Sequence, residues 1–131
     1  LPETKQLIET SENIEFVGYQ NDVRPYLAAS DILILPSYRE GFPNVVLQAG
    51  AMGLPCIVTD INGSNEIIIP NRNGIIIPKQ NTEALYQAMK HCIQRPETVK
   101  EMAQEARPLI VSRFKQQDVW RAILNMYNSL K

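Results

Sequence analysis

The sequence predicts an α/β fold in which helices cover a mostly parallel sheet. Short apolar runs at 14–17, 32–35, 56–59 and 75–77 are candidate strands, and stretches with helical spacing lie between and after them. Strands that alternate with helices form right-handed βαβ units, whose strands lie parallel. A length of 131 residues is enough for one hydrophobic core, so 1–131 is predicted to form a single domain.

Composition is that of an ordinary globular protein, with 44% apolar and 21% charged residues. The net charge of −1 gives no reason to expect a nucleic-acid partner. Cys56 and Cys92 lack metal-ligand spacing and favour a reducing compartment, although two cysteines are also compatible with a disulfide. The chain shows no signal-peptide pattern and starts at Leu1 without a methionine, so we expect it to be a piece of a longer protein.

The first third of the chain is predicted to hold two helices and two strands. A helix covers 3–10, and the strand 14–17 follows it. Asp22 is a candidate cap for the next helix, Val23–Ala29. The uninterrupted apolar run 32–35 is typical of a central parallel strand that is covered on both faces.

The middle of the chain is dominated by an almost wholly apolar helix, Asn44–Met52, which we expect to be deeply buried. Gly53 is well placed to end it. The strand 56–59 comes next, then a short helical turn at 65–69. A turn at 71–74 leads into the strand 75–77.

The last third is predicted to be helical. One helix starts at Thr82 and runs to about Ile93. Pro96-Glu97 starts a second, which runs from Thr98 to about Phe114. Pro108 lies inside that second helix and predicts a kink or a break. The final helix, 117–130, carries an apolar stripe made of Val119, Trp120, Ile123, Leu124, Tyr127 and Leu130.

The segment between strand 32–35 and helix 44–52 is the strongest candidate for a binding site. In α/β sheets, ligands bind outside the carboxyl ends of the strands. Pro43 suits the helix start, where free N–H groups favour an anion such as phosphate. Glu40 would repel phosphate and fits better as an acceptor for hydroxyl groups. Phosphate beside hydroxyl groups describes a sugar nucleotide.

This segment resembles a known family. Residues 40–49, EGFPNVVLQA, are similar to the signature of retaining glycosyltransferases of the GT-B fold, specifically the family 4 type. Two acidic residues separated by seven positions mark that family. Glu40 is the first, but Gln48 stands where the second is expected. Further segments resemble the family in the same order, at 13–19, 23–31, 53–60, 63–68 and 73–78.

The resemblance implies a Rossmann-like α/β/α parallel sheet, the C-terminal, donor-binding half of a GT-B enzyme that is truncated at its N-terminal side. It implies that the acceptor-binding half and the basic residues that grip the diphosphate lie outside this chain. The terminal helix within 115–131 would pack toward the acceptor domain. On its own, the chain is expected to be inactive.

The resemblance also implies roles for individual residues. Glu40 would be the catalytic residue and accept hydrogen bonds from hydroxyls of the donor sugar, whereas by itself it could be a solvated loop carboxylate. Gln48 would accept from a ribose hydroxyl more weakly than glutamate, or would simply reach solvent. The remaining substrate-binding candidates are Gly41, Phe42, Pro43, Asn44 and Val45 at the helix start, and Gly18 and Tyr19 near the base.

Other polar residues have weaker claims. Arg39 is interpreted as a solvated loop cation, with a role as a phosphate ligand as the alternative. Glu66 could line the site or cap a helix, and both interpretations stay open. His91, the only histidine, is predicted to lie on the surface without a catalytic role.

The function that the resemblance implies is transfer of a sugar from a nucleotide diphosphate sugar to an acceptor hydroxyl, without a metal cofactor. The acceptor would be a saccharide or lipid-linked saccharide in surface polysaccharide or glycolipid synthesis. The whole protein would then be cytoplasmic and could associate with the inner face of the membrane. Alternatives are a non-catalytic nucleotide-sugar-binding module, which Gln48 favours, and a GT-B sugar-nucleotide epimerase. A flavodoxin-like regulatory domain would need an acidic cluster at the strand ends, which the sequence lacks.

Overall fold

A computed structural model describes residues 2–130 and contains a parallel sheet between layers of helices. Strands and helices alternate in its central part, and the last three elements are helices. In chain order the elements are α1 (Pro2–Thr10), α2 (Arg24–Ala28), β1 (Leu33–Leu35), α3 (Asn44–Ala51), β2 (Cys56–Thr59), α4 (Ser64–Ile67), β3 (Gly74–Ile77), α5 (Thr82–Gln94), α6 (Pro96–Arg113) and α7 (Gln116–Ser129).

The sheet has the order β1-β2-β3, with both pairs parallel. Ile57 pairs with Ile34 on one side and with Ile75 on the other. All four residues of β2 are buried, as expected of a strand with neighbours on both sides and helices on both faces. The predicted α/β class and parallel sheet are confirmed.

The prediction that β1 is a central strand, covered on both faces, is wrong for the described sheet. Its residues are only half-buried, and within 2–130 it pairs with β2 alone, which makes it an edge strand of the described sheet. Its apolar run matches the pattern of a central strand, but that pattern cannot specify a neighbour. Burial of a strand depends on which other strands and helices are present to cover it.

The predicted strand at 14–17 is also wrong. This segment has no regular secondary structure, and Phe16 is 80% exposed. A strand is defined by hydrogen bonds to a partner. No strand described between residues 2 and 130 pairs with this segment, so its apolar residues alone do not make it one.

Two apolar clusters lie on opposite faces of the sheet. One joins α3 and α6 to the sheet through residues such as Val46, Ala49 and Ile110, and the other packs Ala88 and Cys92 of α5 against Ile57. The α3 helix is buried only on its inner face, because Gln48 and Asn44 are exposed. The predicted deep burial of this helix therefore holds for one face.

The α3 and α6 helices approach each other closely at Gly50. A Cβ atom at that position would lie 2.6 Å from a side-chain carbon of Ile110. Only glycine leaves room for this contact without a shift of Ile110. The contact fixes the orientation of α3, whose first turn belongs to the candidate site.

Helix boundaries lie within two residues of those predicted. Asp22 does not cap α2, because the N-cap is Val23; instead, Asp22 accepts a hydrogen bond from the Arg24 amide at 3.0 Å. Hydrogen bonds from Arg24 lower the pKa of Asp22 to about 2. The α6 helix starts at Pro96, the residue predicted to open it, because proline suits a helix start.

Pro108 does not break α6, which is continuous from Pro96 to Arg113. The buried residues Ala106 and Ile110 flank the proline and pack into the core, so tertiary contacts hold the helix across it. The final helix, α7, has no buried residue, and its apolar stripe is exposed.

Both cysteines are buried free thiols, and burial raises the pKa of Cys56 to about 12. They are not joined in a disulfide. None of the helices within residues 2–130 combines the length and the hydropathy needed to cross a membrane.

Candidate functional site

The candidate site forms where the loops after β1 and β2 meet at the carboxyl end of the sheet. Residues 36–43 follow β1, and residues 60–63 follow β2. The buried Thr59, at the end of β2, donates a hydrogen bond from its hydroxyl to the Ser37 carbonyl. This bond ties the first loop to the neighbouring strand.

Gly63 brings the two loops into direct backbone contact. Its φ is +80°, and a Cβ atom there would lie 2.3 Å from the Gly41 carbonyl oxygen and 3.0 Å from the Phe42 Cα. A side chain at this position would clash with backbone that cannot move aside, and it would also have to adopt a left-handed conformation. The close approach of Gly63 to the backbone of Gly41 and Phe42 therefore fixes the position of the loop that carries Glu40.

The first turn of α3 presents free amide groups. Pro43 is the N-cap, and the Val46 and Leu47 amides donate to its carbonyl at 3.1 and 3.4 Å. The Asn44 and Val45 amides have no acceptor among the hydrogen bonds of residues 2–130. Unpaired N–H groups at a helix start, together with the helix dipole, favour an anion such as phosphate.

Glu40 and Gly41 lie directly before this helix start. Glu40 is half-buried, and within the described part of the chain its carboxylate accepts no hydrogen bond from the protein. The position of a Cβ on Gly41 is open space, with no atom within 4 Å. A ligand could therefore reach the backbone at Gly41 and the carboxylate of Glu40 from the same loop.

Gln48 lies one helical turn after Asn44, on the exposed face of α3. Residues four apart on a helix share a face, so the Gln48 side chain lies on the same side as the first turn. The described structure gives its amide no hydrogen-bond partner in the protein. Its exposure is compatible with both hypotheses, a ribose ligand and a solvated side chain.

An aromatic contact supports the loop from the side of α6. The Phe42 and Phe114 rings meet edge to face, with centroids 5.8 Å apart. The guanidinium of Arg113 lies over the Phe114 ring, 4.9 Å from its centroid. Such pairs stabilise a particular ring geometry beyond simple burial. The sequence analysis did not find this contact, because Phe114 lies 72 positions after Phe42 and nothing local links them.

Arg113 also holds the short helix α4 in place. It donates hydrogen bonds to the carbonyl oxygens of Glu66 and Ile67. The Glu66 carboxylate accepts from the Gly63 amide at 3.3 Å, so Glu66 caps its own helix. Of the two interpretations left open for Glu66, capping is the one the geometry favours. Glu66 lies three residues after the N-cap Gly63, the spacing at which a glutamate can accept from the N-cap amide.

Gly18 and Tyr19 are not joined to this site by hydrogen bonds among the described residues. Gly18 has a φ of +64°, and Tyr19 is 90% exposed. Arg39 is exposed, and His91 lies on the exposed side of α5, as predicted. The structure therefore brings Glu40–Val45 and Gln48 together on one surface, and it leaves a base-binding role for Gly18 and Tyr19 as a prediction.

Comparison with known proteins adds independent information. The family model described as glycosyl transferases group 1 matches residues 1–95. An Escherichia coli UDP-Gal:alpha-D-GlcNAc-diphosphoundecaprenol alpha-1,3-galactosyltransferase is 34% identical over 98 residues, which are 75% of this chain and 25% of that protein. The Staphylococcus aureus capsular polysaccharide biosynthesis glycosyltransferase CapM is 23% identical over 117 residues, 89% of this chain and 31% of that protein.

Solved structures agree on the fold. A glycosyltransferase from Rickettsia africae superimposes with a TM-score of 0.88 at 27% identity, over 98% of this chain and 35% of its own. Anabaena Alr3699/HepE in complex with UDP gives a TM-score of 0.90 at 22% identity, over 98% of this chain and 36% of its own. The chain thus spans about a quarter to a third of the length of these proteins, and its fold is that of a GT-B C-terminal domain.

Proposed function

The chain belongs to the glycosyl transferases group 1 family, and we propose that it is the donor-binding part of a retaining family 4 glycosyltransferase. The observation that carries the proposal is the loop at Glu40. A free carboxylate, an open backbone at Gly41 and the unpaired amides of Asn44 and Val45 occupy consecutive positions there. Hydroxyl groups and phosphate groups have complementary partners within this one loop.

In this proposal the diphosphate of a sugar nucleotide binds at the start of α3. Its charge is met by the Asn44 and Val45 amides and by the helix dipole. Glu40 accepts hydrogen bonds from the sugar hydroxyls and orients the ring; a hydrogen bond to a charged group contributes about 1.5–3 kcal/mol. Phe42 and Pro43 hold this loop against the core.

The reaction exchanges one bond of the anomeric carbon for another. The bond between that carbon and the diphosphate oxygen breaks, and a bond to the acceptor oxygen forms on the same face. The leaving diphosphate takes the proton of the acceptor hydroxyl. Amides that stabilise the negative charge developing on the diphosphate lower the barrier, because they are already oriented before the reaction. The proposal includes no metal ion.

The remaining contacts concern the nucleoside. Gln48 accepts from a ribose hydroxyl, and Gly18 and Tyr19 frame the base. Uracil is the first base to test, because the Anabaena structure contains UDP and the Escherichia coli relative is named for a UDP-sugar. The acceptor is a saccharide or lipid-linked saccharide of a surface polysaccharide or glycolipid, made at the cytoplasmic face of the membrane; the names of the two curated relatives support this class.

Turnover by a polypeptide that joins this chain to an acceptor-binding domain tests the proposal. It is incubated with UDP-glucose, UDP-galactose or UDP-N-acetylglucosamine, and the anomeric proton of the released or transferred sugar is followed by NMR. We expect an α product from an α donor and a large loss of turnover in Glu40→Gln. A β product would contradict the retaining assignment, and full activity of Glu40→Gln would contradict the role of Glu40.

A non-catalytic nucleotide-sugar-binding module is the second candidate, and Gln48 is the observation that favours it. Gln48 offers one carbonyl oxygen where a carboxylate would offer two. A module of this kind would bind the sugar nucleotide but neither transfer nor hydrolyse the sugar. The same turnover assay separates the two candidates.

A further inference from the structure

The backbone that carries Glu40 is held by hydrogen bonds from two hydroxyl groups. The Thr59 hydroxyl donates to the Ser37 carbonyl at 2.5 Å, and the Ser37 hydroxyl donates to the Arg39 carbonyl at 3.3 Å. The Arg39 carbonyl belongs to the peptide unit whose nitrogen is that of Glu40. The two bonds therefore connect the end of β2 to the peptide unit directly before Glu40, and we call them the Thr59–Ser37 tether.

Other constraints on this side of Glu40 are weak. Tyr38 is 70% exposed and Arg39 is exposed, so their side chains contribute little packing. Within the described part of the chain, the backbone of residues 37–42 makes no hydrogen bond to another backbone group. The glycine contact and the aromatic contact described above both act after Glu40, at residues 41–42. The tether is therefore the main constraint on the segment before Glu40.

The position of the Glu40 carboxylate depends on this backbone. The carboxylate makes no hydrogen bond or ion pair within residues 2–130, so no contact of its own fixes it. A rotation of the peptide unit between Arg39 and Glu40 would move the carboxylate relative to a sugar bound at Gly41. Groups that bind or orient a substrate need to be held to within about 0.5 Å of their productive position. A hydrogen bond to that peptide unit limits such a rotation.

The phosphate-binding part of the site is anchored elsewhere. The Asn44 and Val45 amides belong to α3, and the contact between Gly50 and Ile110 of α6 fixes the orientation of that helix. Neither bond of the tether involves α3 or α6. Loss of the tether should therefore disturb the part of the site that faces the sugar and leave the part that faces the diphosphate in place.

We propose that Thr59 and Ser37 are positioning residues that act through Glu40, by fixing the peptide unit from which its carboxylate reaches the donor sugar. The proposal rests on the proposed glycosyltransferase function and deepens it by naming residues that determine sugar recognition without touching the sugar. Thr59 is 2% exposed, whereas Ser37 is half-buried. Water can replace a lost partner at Ser37 more easily than at Thr59, so Thr59 has the larger effect.

Four single substitutions test the two residues. Thr59→Val removes the hydroxyl and keeps the branched shape of the side chain, and Thr59→Ser keeps the hydroxyl and is the rescue variant. Ser37→Ala removes the second bond of the tether, at a half-buried position, and gives the same comparison if Thr59→Val does not fold. Ser30→Ala is the matched control, because the Ser30 hydroxyl also donates to a backbone carbonyl, that of Tyr26 at 2.7 Å, outside the site.

The experiment measures the dissociation constants of UDP and of a UDP-sugar for the 131-residue chain and its variants by amide NMR titration. The UDP-sugar is whichever of UDP-glucose, UDP-galactose and UDP-N-acetylglucosamine binds the unmodified chain most tightly. We expect Thr59→Val to weaken UDP-sugar binding about threefold to tenfold and Ser37→Ala about twofold to threefold. The affinity for UDP should stay within about twofold in both, and Thr59→Ser and Ser30→Ala should change neither affinity by more than about twofold.

Combination with Glu40→Ala separates positioning from a general loss of structure. If Thr59 acts through Glu40, Thr59→Val should weaken UDP-sugar binding by less than about twofold once the carboxylate is absent. A merely structural role of Thr59 would weaken UDP and UDP-sugar binding by the same factor, and its effect would persist in the Glu40→Ala background. Either of these results would overturn the proposal.

Failure of this proposal is distinguishable from failure of the proposed function. If Glu40→Ala weakens UDP-sugar binding but neither Thr59→Val nor Ser37→Ala does, the positioning role is wrong and the donor site stands. If Glu40→Ala leaves UDP-sugar binding unchanged, the proposed role of Glu40 is wrong and the positioning role falls with it. If the unmodified chain binds neither UDP nor any of the three UDP-sugars, the donor site itself is contradicted, together with this proposal.

Discussion

At the scale of single residues, the two glycines of the site have opposite roles. Gly63 is needed by the fold, because a Cβ there would overlap the Gly41 carbonyl oxygen at 2.3 Å. Gly41 has open space on its Cβ side, so the fold does not require glycine there. If a ligand approaches that space, Gly41 is needed for binding instead.

Alanine substitutions separate these roles. We expect Gly63→Ala to lower the free energy of unfolding by about 2–4 kcal/mol, from the left-handed φ and the overlap together. We expect Gly41→Ala to change it by less than about 0.5 kcal/mol while weakening UDP-glucose binding about tenfold. Urea denaturation and calorimetric titration measure the two quantities. Unchanged binding in Gly41→Ala would mean that no ligand reaches this backbone.

Gln48 is the position where the chain departs from the pattern it otherwise resembles. A carboxylate accepts a hydrogen bond about twice as strongly as a neutral group. We therefore expect Gln48→Glu to tighten UDP binding about fivefold, which corresponds to about 1 kcal/mol. The measurement is the dissociation constant of UDP for both chains. Equal values would contradict the assignment of Gln48 to the ribose.

At the scale of elements, Arg113 connects the end of α6 to α4 and thereby to the Gly63 loop. We expect Arg113→Ala to lower the free energy of unfolding by about 1–2 kcal/mol, because two carbonyl oxygens lose a charged donor. Arg121→Ala is the matched control. Arg121 makes an exposed ion pair with Asp118 at 3.7 Å, and its loss should cost less than about 0.5 kcal/mol. Equal effects of the two substitutions on urea denaturation would refute the connecting role.

The α6 helix continues through Pro108, a residue type that disfavours the interior of a helix. Proline inside a helix loses one backbone hydrogen bond and crowds the preceding turn, at a cost of about 3 kcal/mol. Since α6 is continuous through Pro108, packing must outweigh that cost. We expect Pro108→Ala to raise the free energy of unfolding by about 1–3 kcal/mol in urea denaturation. A decrease would show that the proline makes a favourable contact.

At the scale of the whole molecule, the sequence predicts what depends on local pattern. The bounds of β2 are those predicted from the apolar run at 56–59, and α3 begins at Asn44, directly after Pro43, as expected. The position of Glu40 in a loop before a helix follows from the same pattern. These features depend on periodicity and on residues that favour helix starts and turns.

What the sequence could not predict depends on contacts between distant segments. The failure at 14–17 and the edge position of β1 both concern partner strands, which a local apolar run does not specify. The contact between Gly63 and Gly41 joins residues from two loops, and so does the ring pair of Phe42 and Phe114. Such contacts depend on the three-dimensional arrangement and not on local sequence.

The central claim is that the surface formed by residues 37–48 binds a nucleotide diphosphate. Titration of the 131-residue chain with UDP, GDP and ADP, followed by amide NMR shifts, tests it most directly, since this method detects weak binding. We predict saturable shifts at 17–19 and 37–48 with one of these nucleotides. The absence of shifts at 37–48 with all three, at nucleotide concentrations up to the millimolar range, would contradict the claim that these residues form a donor site on this chain.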